Sequence, residues 1–284
     1  ILSLLFLPFA MASTNSMNVS PSLAKDGTSD TTCTSTQVKV GHDRNDPTLR
    51  IILVRHGESN NNIHHEVSRE AYLRNRSSDP SLTVNGKKQA QQTGDYFKSG
   101  SNKLIDNVDE IFVSPCLRTM QTAEPIAKAL KLSAIVWNEI YEVGGVYENG
   151  EGRRGLTRAE MKGMFPTYTI PEDQVAEDGW YDVSLNKEPR PAGRERANGV
   201  FDKLKKQAME ATSDRTIVLV VHGDFIDFLL QSAVGVEGTS RFFPCFNTCI
   251  SVLDMTAKDT MILFHNSIAH LSEDLVKTHA LGKC

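Results

Sequence analysis

The chain has 284 residues, 39% of them hydrophobic, which suits one large α/β domain with a sizeable core plus a tail. Its net charge of −4 and pI of about 6.1 argue against a general nucleic-acid or membrane-surface partner, so any anion site must be a local cationic pocket. Five scattered cysteines (Cys33, Cys116, Cys245, Cys249 and Cys284) make no disulfide framework, and Cys245-x-x-x-Cys249 lacks the second ligand pair of a zinc site.

Residues 1–47 carry no convincing period and many Ser, Thr, Asn and Asp residues, so they are expected to form a disordered or targeting tail. Ile1 to Ala10 is apolar and Ala10-Met11-Ala12 has the small-x-small form of a signal cleavage site; the alternative expectation is Met11 as the true start, with Ile1 to Ala10 upstream of it. A cytoplasmic location is favoured, with organelle targeting or secretion left open. No later stretch is apolar enough to span a bilayer, so stable membrane insertion is not expected.

Leu49 to Val54 reads as a strand, and the run Ile51-Ile52-Leu53-Val54 as one buried on both faces. At its carboxyl end stand Arg55, His56, Gly57, Glu58 and Ser59, where open α/β sheets place their chemistry. Gly57 is expected to turn the chain sharply there. Residues 60–79 read as a loop with a short helix, with His64 and His65 exposed on it. A helix follows to about Lys98 with Thr83 as N-cap, then a strand from Asp109 to Val113 stopped by Ser114-Pro115. The next helix is expected over Thr119 to Lys131, with Arg118 at the strand-to-helix junction where the helix dipole also favours an anion. Cys116 beside it is read as a buried, inert thiol.

Ala134 to Trp137 reads as a third strand. Residues 143–191 read as a polar, Gly- and Pro-rich insertion covering the sheet edge, with a capping box at Thr157 and Glu160. Arg153, Arg154 and Arg158 in it are either solvated surface charges or contacts for an anionic substrate tail. An amphipathic helix from Ala192 to Met209 leads to a second apolar strand, Thr216 to Val221. This one also ends in His-Gly-acid, as His222-Gly223-Asp224. A buried helix (Phe225 to Val234), two closing strands (Ile250 to Met255 and Met261 to Phe264) and a short tail after Leu271 complete the chain.

Three motifs now stand in order: Arg55-His56-Gly57-Glu58-Ser59-Asn60-Asn61-Asn62, then Ser114-x-x-x-Arg118-x-x-Gln121-Thr122, then His222-Gly223. Over roughly Leu49 to Leu271 the chain resembles the histidine phosphatase, or phosphoglycerate-mutase-like, superfamily. The resemblance implies a three-layer α/β/α sandwich with a mostly parallel central sheet. It implies a metal-independent phosphomonoesterase without cofactor, acting on a small phosphorylated substrate, with a homodimer left open. By resemblance His56 is the nucleophile that becomes phosphohistidine, and Arg55, Arg118 and His222 hold the phosphoryl group. Asn62, Ser59 and Gly223 bind substrate. The proton donor is Glu142, because Gly144-Gly145 follow at once, with Glu139 as the alternative.

The residues permit that chemistry. A neutral imidazole attacks phosphorus when its other nitrogen donates to a backbone carbonyl, and guanidinium forks match phosphate geometry. A proton-donating glutamate needs a pKa above the ordinary ~4.3. A phosphoglycerate mutase or bisphosphoglycerate phosphatase is the alternative. It ranks lower because Tyr141-Glu142-Val143-Gly144-Gly145 stands where true mutases carry Glu-Arg-His-Tyr-Gly. A catalytically silent phospho-ligand-binding module is the second alternative, disfavoured because every core residue has a candidate.

Overall fold

The two apolar runs that end in His-Gly are neighbouring strands of one sheet. The computed structural model describes residues 46–276, all inside one unit of chain, Asp43–Cys284. Almost all of the expected tail therefore lies outside the described residues. In chain order the elements are β1 (Leu49–Arg55), α1 (Asn60–Val67), α2 (Arg69–Asn75), α3 (Val84–Ser99), β2 (Glu110–Val113), α4 (Leu117–Leu130) and β3 (Ala134–Val136). A small hairpin follows, β4 (Tyr147–Glu148) and β5 (Glu151–Gly152), then α5 (Arg158–Met164) and α6 (Arg190–Glu210). The chain closes with β6 (Arg215–Val221), α7 (Gly223–Ala233), β7 (Ile250–Met255) and β8 (Thr260–Ser267).

The main sheet has the order β3-β2-β6-β1-β7-β8. Strands β1, β2, β3 and β6 run parallel, and β7 and β8 run antiparallel at one side. Strand side chains alternate between faces, and here both faces are covered. Ile52, Val54, Ile111, Val113, Val218 and Val220 pack towards Phe97 of α3 and Met120 and Ile126 of α4. Ile51, Leu53, Ile217, Leu219 and Val221 pack towards Val200 and Leu204 of α6 and Phe225 and Phe228 of α7. This is why β1 and β6 are apolar at successive positions, and it gives the expected α/β/α layering.

Several boundaries differ from the sequence reading, for local reasons. Residues 60–75 form two helices, separated by Ser68, whose hydroxyl accepts from the Ala71 N–H at 3.0 Å. Helix α4 begins at Leu117, so Arg118 lies within its first turn rather than before it. The stretch after Leu271 is not a free tail as far as Val276. A 3₁₀ turn at Glu273–Leu275 buries Leu275, whose carbonyl accepts from Gln89 Nε2 at 2.8 Å. Within 143–191, Thr169 lies along the open edge of β3, exchanging bonds with Ala134 and Val136 at 2.9 Å each.

Candidate active site

Sheet register assembles the centre of the site. Arg55 pairs with Val221 and Val113 with Val220, so the next residues (His56, His222 and Ser114) leave three adjacent strand ends together. The His56 N–H donates to the Val221 carbonyl at 3.0 Å and the Ser114 N–H to the Val220 carbonyl at 3.1 Å. The rings of His56 and His222 lie 5.3 Å apart between centroids. From the opposite side the Arg55 N–H donates to the Cys249 carbonyl, and the His56 carbonyl accepts from Asn247 Nδ2 at 3.0 Å and the Thr248 N–H at 3.3 Å. Asn247 and Thr248 went unnoticed in the sequence, because nothing nearby in the chain marks them as partners of residue 56. Gly57 has no left-handed backbone here, contrary to the expected sharp turn. Its reason is close approach: an added Cβ would stand 2.6 Å from the Gly86 carbonyl oxygen at the start of α3.

His56 Nδ1 lies 2.7 Å from the Gly57 carbonyl oxygen, which can only accept, so the proton sits on Nδ1 and the lone pair on Nε2. Burial, then the nearby Arg118 and Arg55 guanidiniums, hold the ring's pKa well below 6.5, so it is neutral at physiological pH. Arg55 donates through Nη1 to the Cys245 carbonyl. Its buried Nε has no hydrogen-bond partner among the described residues. A Cβ added to Gly223 would lie 3.3 Å from that Nε, so the glycine leaves the guanidinium open on that side.

Arg118 Nη2 donates to His222 Nδ1 at 2.9 Å. A guanidinium has no lone pair to offer, so Nδ1 is unprotonated and Nε2–H donates to Ser114 Oγ at 2.8 Å. His222 is fully buried and neutral in this arrangement, held well below 6.5 by burial and then by Arg118. Asp79, unmarked by any motif, lies behind Arg118 with Oδ1 3.9 Å from Nη1. It also caps α4 by accepting from the Leu117 N–H at 3.0 Å, and burial raises its pKa to about 6 against the pull of Arg118. The Cys116 thiol is pushed up to about 12 by burial, in keeping with an inert side chain.

Glu142 reaches the amino end of α7, where Oε1 accepts from the Phe225 N–H at 3.2 Å and from its neighbour Val143 N–H at 2.9 Å. Burial, then the Asp224 carboxylate, raises its pKa to about 7 against Arg118 and Arg55. Glu139 points elsewhere, to Lys203 Nζ at 2.6 Å and Trp137 Nε1 at 3.0 Å. The loop carrying Glu142 is fastened by a pair that sequence reasoning missed. Glu188 takes both Arg196 Nε (2.9 Å) and Nη2 (2.7 Å), the Tyr141 hydroxyl and the Gly144 N–H. Arg196 in turn donates to the carbonyls of Glu139 and Tyr141 and stacks on the Tyr141 ring at 3.5 Å. Gly144 and Gly145 both have left-handed φ, 109° and 69°, which the loop's reversal requires.

Asn62 turns its Oδ1 back to the Ser59 N–H and hydroxyl, each at 2.9 Å, which leaves its NH₂ as the outward donor. Ser59 is buried at the head of α1 and serves this bond. His64 and His65 lie in the last turn of α1. Arg153, Arg154 and Arg158 bond to Glu148 and Glu151, to Glu160 and to Glu172 respectively, at 2.9–3.2 Å, so each faces an acid of its own insertion.

The model of the histidine phosphatase superfamily (branch 1) matches residues 51–268. The chain belongs to that superfamily. As a histidine phosphatase it is a phosphoric monoester hydrolase. It is 29% identical to phosphoserine phosphatase 1 of Hydrogenobacter thermophilus over 236 residues, covering 81% of this chain and 98% of that protein. Its fold is similar to YhfR of Bacillus stearothermophilus, with a TM-score of 0.53 at 15% identity over 79% of this chain and all of the other. A phosphoglycerate mutase of Bacillus anthracis gives a TM-score of 0.52 at 15% identity, covering 81% of this chain and 97% of its own. Two imidazoles and two guanidiniums, remote in sequence, thus meet at the strand ends of a histidine phosphatase, with Glu142 beside them.

Proposed function

We propose that this histidine phosphatase hydrolyses small phosphate monoesters without a metal ion, through a phosphohistidine on His56. The observation that carries the reading is the His56 ring: neutral, with Nδ1–H on the Gly57 carbonyl and a lone pair on Nε2 beside two guanidiniums. In the proposed step Nε2 attacks phosphorus as the phosphorus–oxygen bond to the leaving group breaks. Arg55, through its orphaned Nε, Arg118, the Asn62 NH₂ and the N–H groups at Gly223 hold the three non-bridging oxygens. Glu142, protonated up to about pH 7, gives its proton to the departing alkoxide. It then takes one from the water that attacks phosphohistidine, which releases inorganic phosphate and restores both side chains.

Phosphoserine heads the panel of small phosphomonoesters to assay, because the Hydrogenobacter relative is named for it. Rapid quench at alkaline pH with a ³²P-labelled substrate should trap label on the wild-type protein at His56. His56→Ala should neither trap label nor turn over. A variant lacking His56 that keeps wild-type turnover ends the proposal.

A further inference from the structure

The Ser114 hydroxyl has no part in the steps above, yet it is fully buried and meets the Nε2 of an equally buried histidine at 2.8 Å. The backbone fixes it there. Ser114 directly follows β2, in register beside β6, and its N–H is tied to Val220. The opposite nitrogen of His222, Nδ1, faces Arg118, one of the guanidiniums assigned above to phosphate. The other groups whose charge acts on the ring are His56 and Arg55 from β1 and Arg196 from α6, and all of them oppose a proton on it. Glu142, from the 139–145 loop, contributes its carboxyl at Phe225, three residues into α7.

A guanidinium that turns to a phosphate oxygen leaves Nδ1 with its lone pair facing an anion. That contact is repulsive unless the nitrogen acquires a proton. A phosphate monoester arriving as its monoanion carries one. Transfer of that proton to Nδ1 leaves a dianion against an imidazolium, with Nε2–H, on the buried side of the ring, still requiring an acceptor. Ser114 Oγ is the acceptor within reach in both states.

We propose that Ser114 is a positioning residue that aims Nδ1 of His222 into the anion cup and lets the ring change from acceptor for Arg118 to donor for phosphate. This rests on the phosphatase reading above. Without the hydroxyl, the imidazolium would keep a buried N–H with no partner. Ser114→Ala should therefore weaken binding of inorganic phosphate about tenfold, the usual scale for orphaning one buried polar group. Ser114→Thr, which retains the hydroxyl, should recover most of that loss.

The deciding measurement is ¹⁵N NMR on histidine-labelled protein, with the His222 signals assigned by their disappearance in His222→Asn. Free wild-type enzyme should show His222 neutral and protonated at Nε2. Saturation with inorganic phosphate should protonate Nδ1 as well, and in Ser114→Ala that second proton should be lost or need a pH lower by about one unit. A Ser114→Ala protein with wild-type phosphate affinity and wild-type His222 signals overturns the inference. So does a His222 that stays neutral in the phosphate complex. If wild-type turnover depends on His56 while Ser114→Ala changes nothing, this inference alone falls. If the wild type neither turns over phosphomonoesters nor binds phosphate, the phosphatase reading falls and takes this one with it.

Discussion

The site has two halves built in different ways. Its inner half, Arg55, His56, Ser114 and His222, stands on three adjacent strand ends, and main-chain pairing fixes each position. Its outer half, Glu142, Asp79 and Asn62, stands on loops and a helix head, and side-chain bonds fix it, to distant segments for Glu142 and Asp79 and to Ser59 for Asn62. In the inner half a substitution changes chemistry and leaves the scaffold intact. In the outer half, replacing a residue that never meets substrate is enough to move one that does. Four substitutions sharpen that contrast.

The largest effect belongs to Glu142→Gln. With an alkyl phosphate, kcat should fall about 10²- to 10⁴-fold, the span of general acid catalysis. Wild-type kcat should decline as pH rises through about 7, where Glu142 loses the proton it must donate, and the variant should lack that limb. An aryl phosphate, whose leaving group needs less protonation, should lose far less. Glu139→Gln is the control, expected within about twofold of wild type because its carboxylate serves a surface pair with Lys203, the kind of pair worth little.

Arg196→Ala comes next. It removes the bonds from Arg196 to the Glu139 and Tyr141 carbonyls and leaves the buried Glu188 carboxylate without its cation, so the melting temperature should drop by several degrees. Misplacing Glu142 should lower kcat about ten- to a hundredfold, with KM nearly unchanged. Equal falls in kcat for alkyl and aryl phosphates would show that the loop does not act through the proton donor.

Asp79→Asn should be milder in rate than Glu142→Gln or Arg196→Ala, a few-fold rise in KM, since the amide oxygen still caps Leu117 while the charge behind Arg118 is gone. Stability should respond with a definite sign. The native carboxyl titrates near 6 against an ordinary 3.8, so its contribution is fully present below about 3.8 and is lost as pH rises through 6. The uncharged variant escapes that loss. Its melting temperature relative to wild type should improve from pH 4 to pH 7, measured in buffers of equal ionic strength.

The same division explains what could be read in the chain. The inner half was legible because β1 and β6 each carry a histidine directly after their last residue, so Ile51 to His56 and Ile217 to His222 declare both strand and candidate site within a few residues. Glu142 was preferred over Glu139 from Gly144-Gly145, a local signal of the loop that carries it. Asp79 was not legible: it caps a helix 38 residues further on, and cap rules look only at immediate neighbours. That distant cap also explains why α4 starts two residues earlier than its expected Thr119. Glu188, Arg196, Asn247 and Thr248 were hidden likewise, since their partners are set by how loops stack on the finished sheet. Gly57 was singled out correctly but for the wrong cause, because the helix start that crowds it lies around Gly86.

The strand that delivers His56 is flanked on both sides, by β6 in parallel and by β7 in antiparallel, and even its last amides are bonded, Arg55 to one neighbour and His56 to the other. Such amides give up deuterium slowly, and only when the whole sheet opens. His56 therefore belongs to the last part of the molecule to melt. On heating, the His56 backbone should then leave its place only as the sheet itself unfolds, whereas the Glu142 loop, held by side-chain bonds, is free to open earlier.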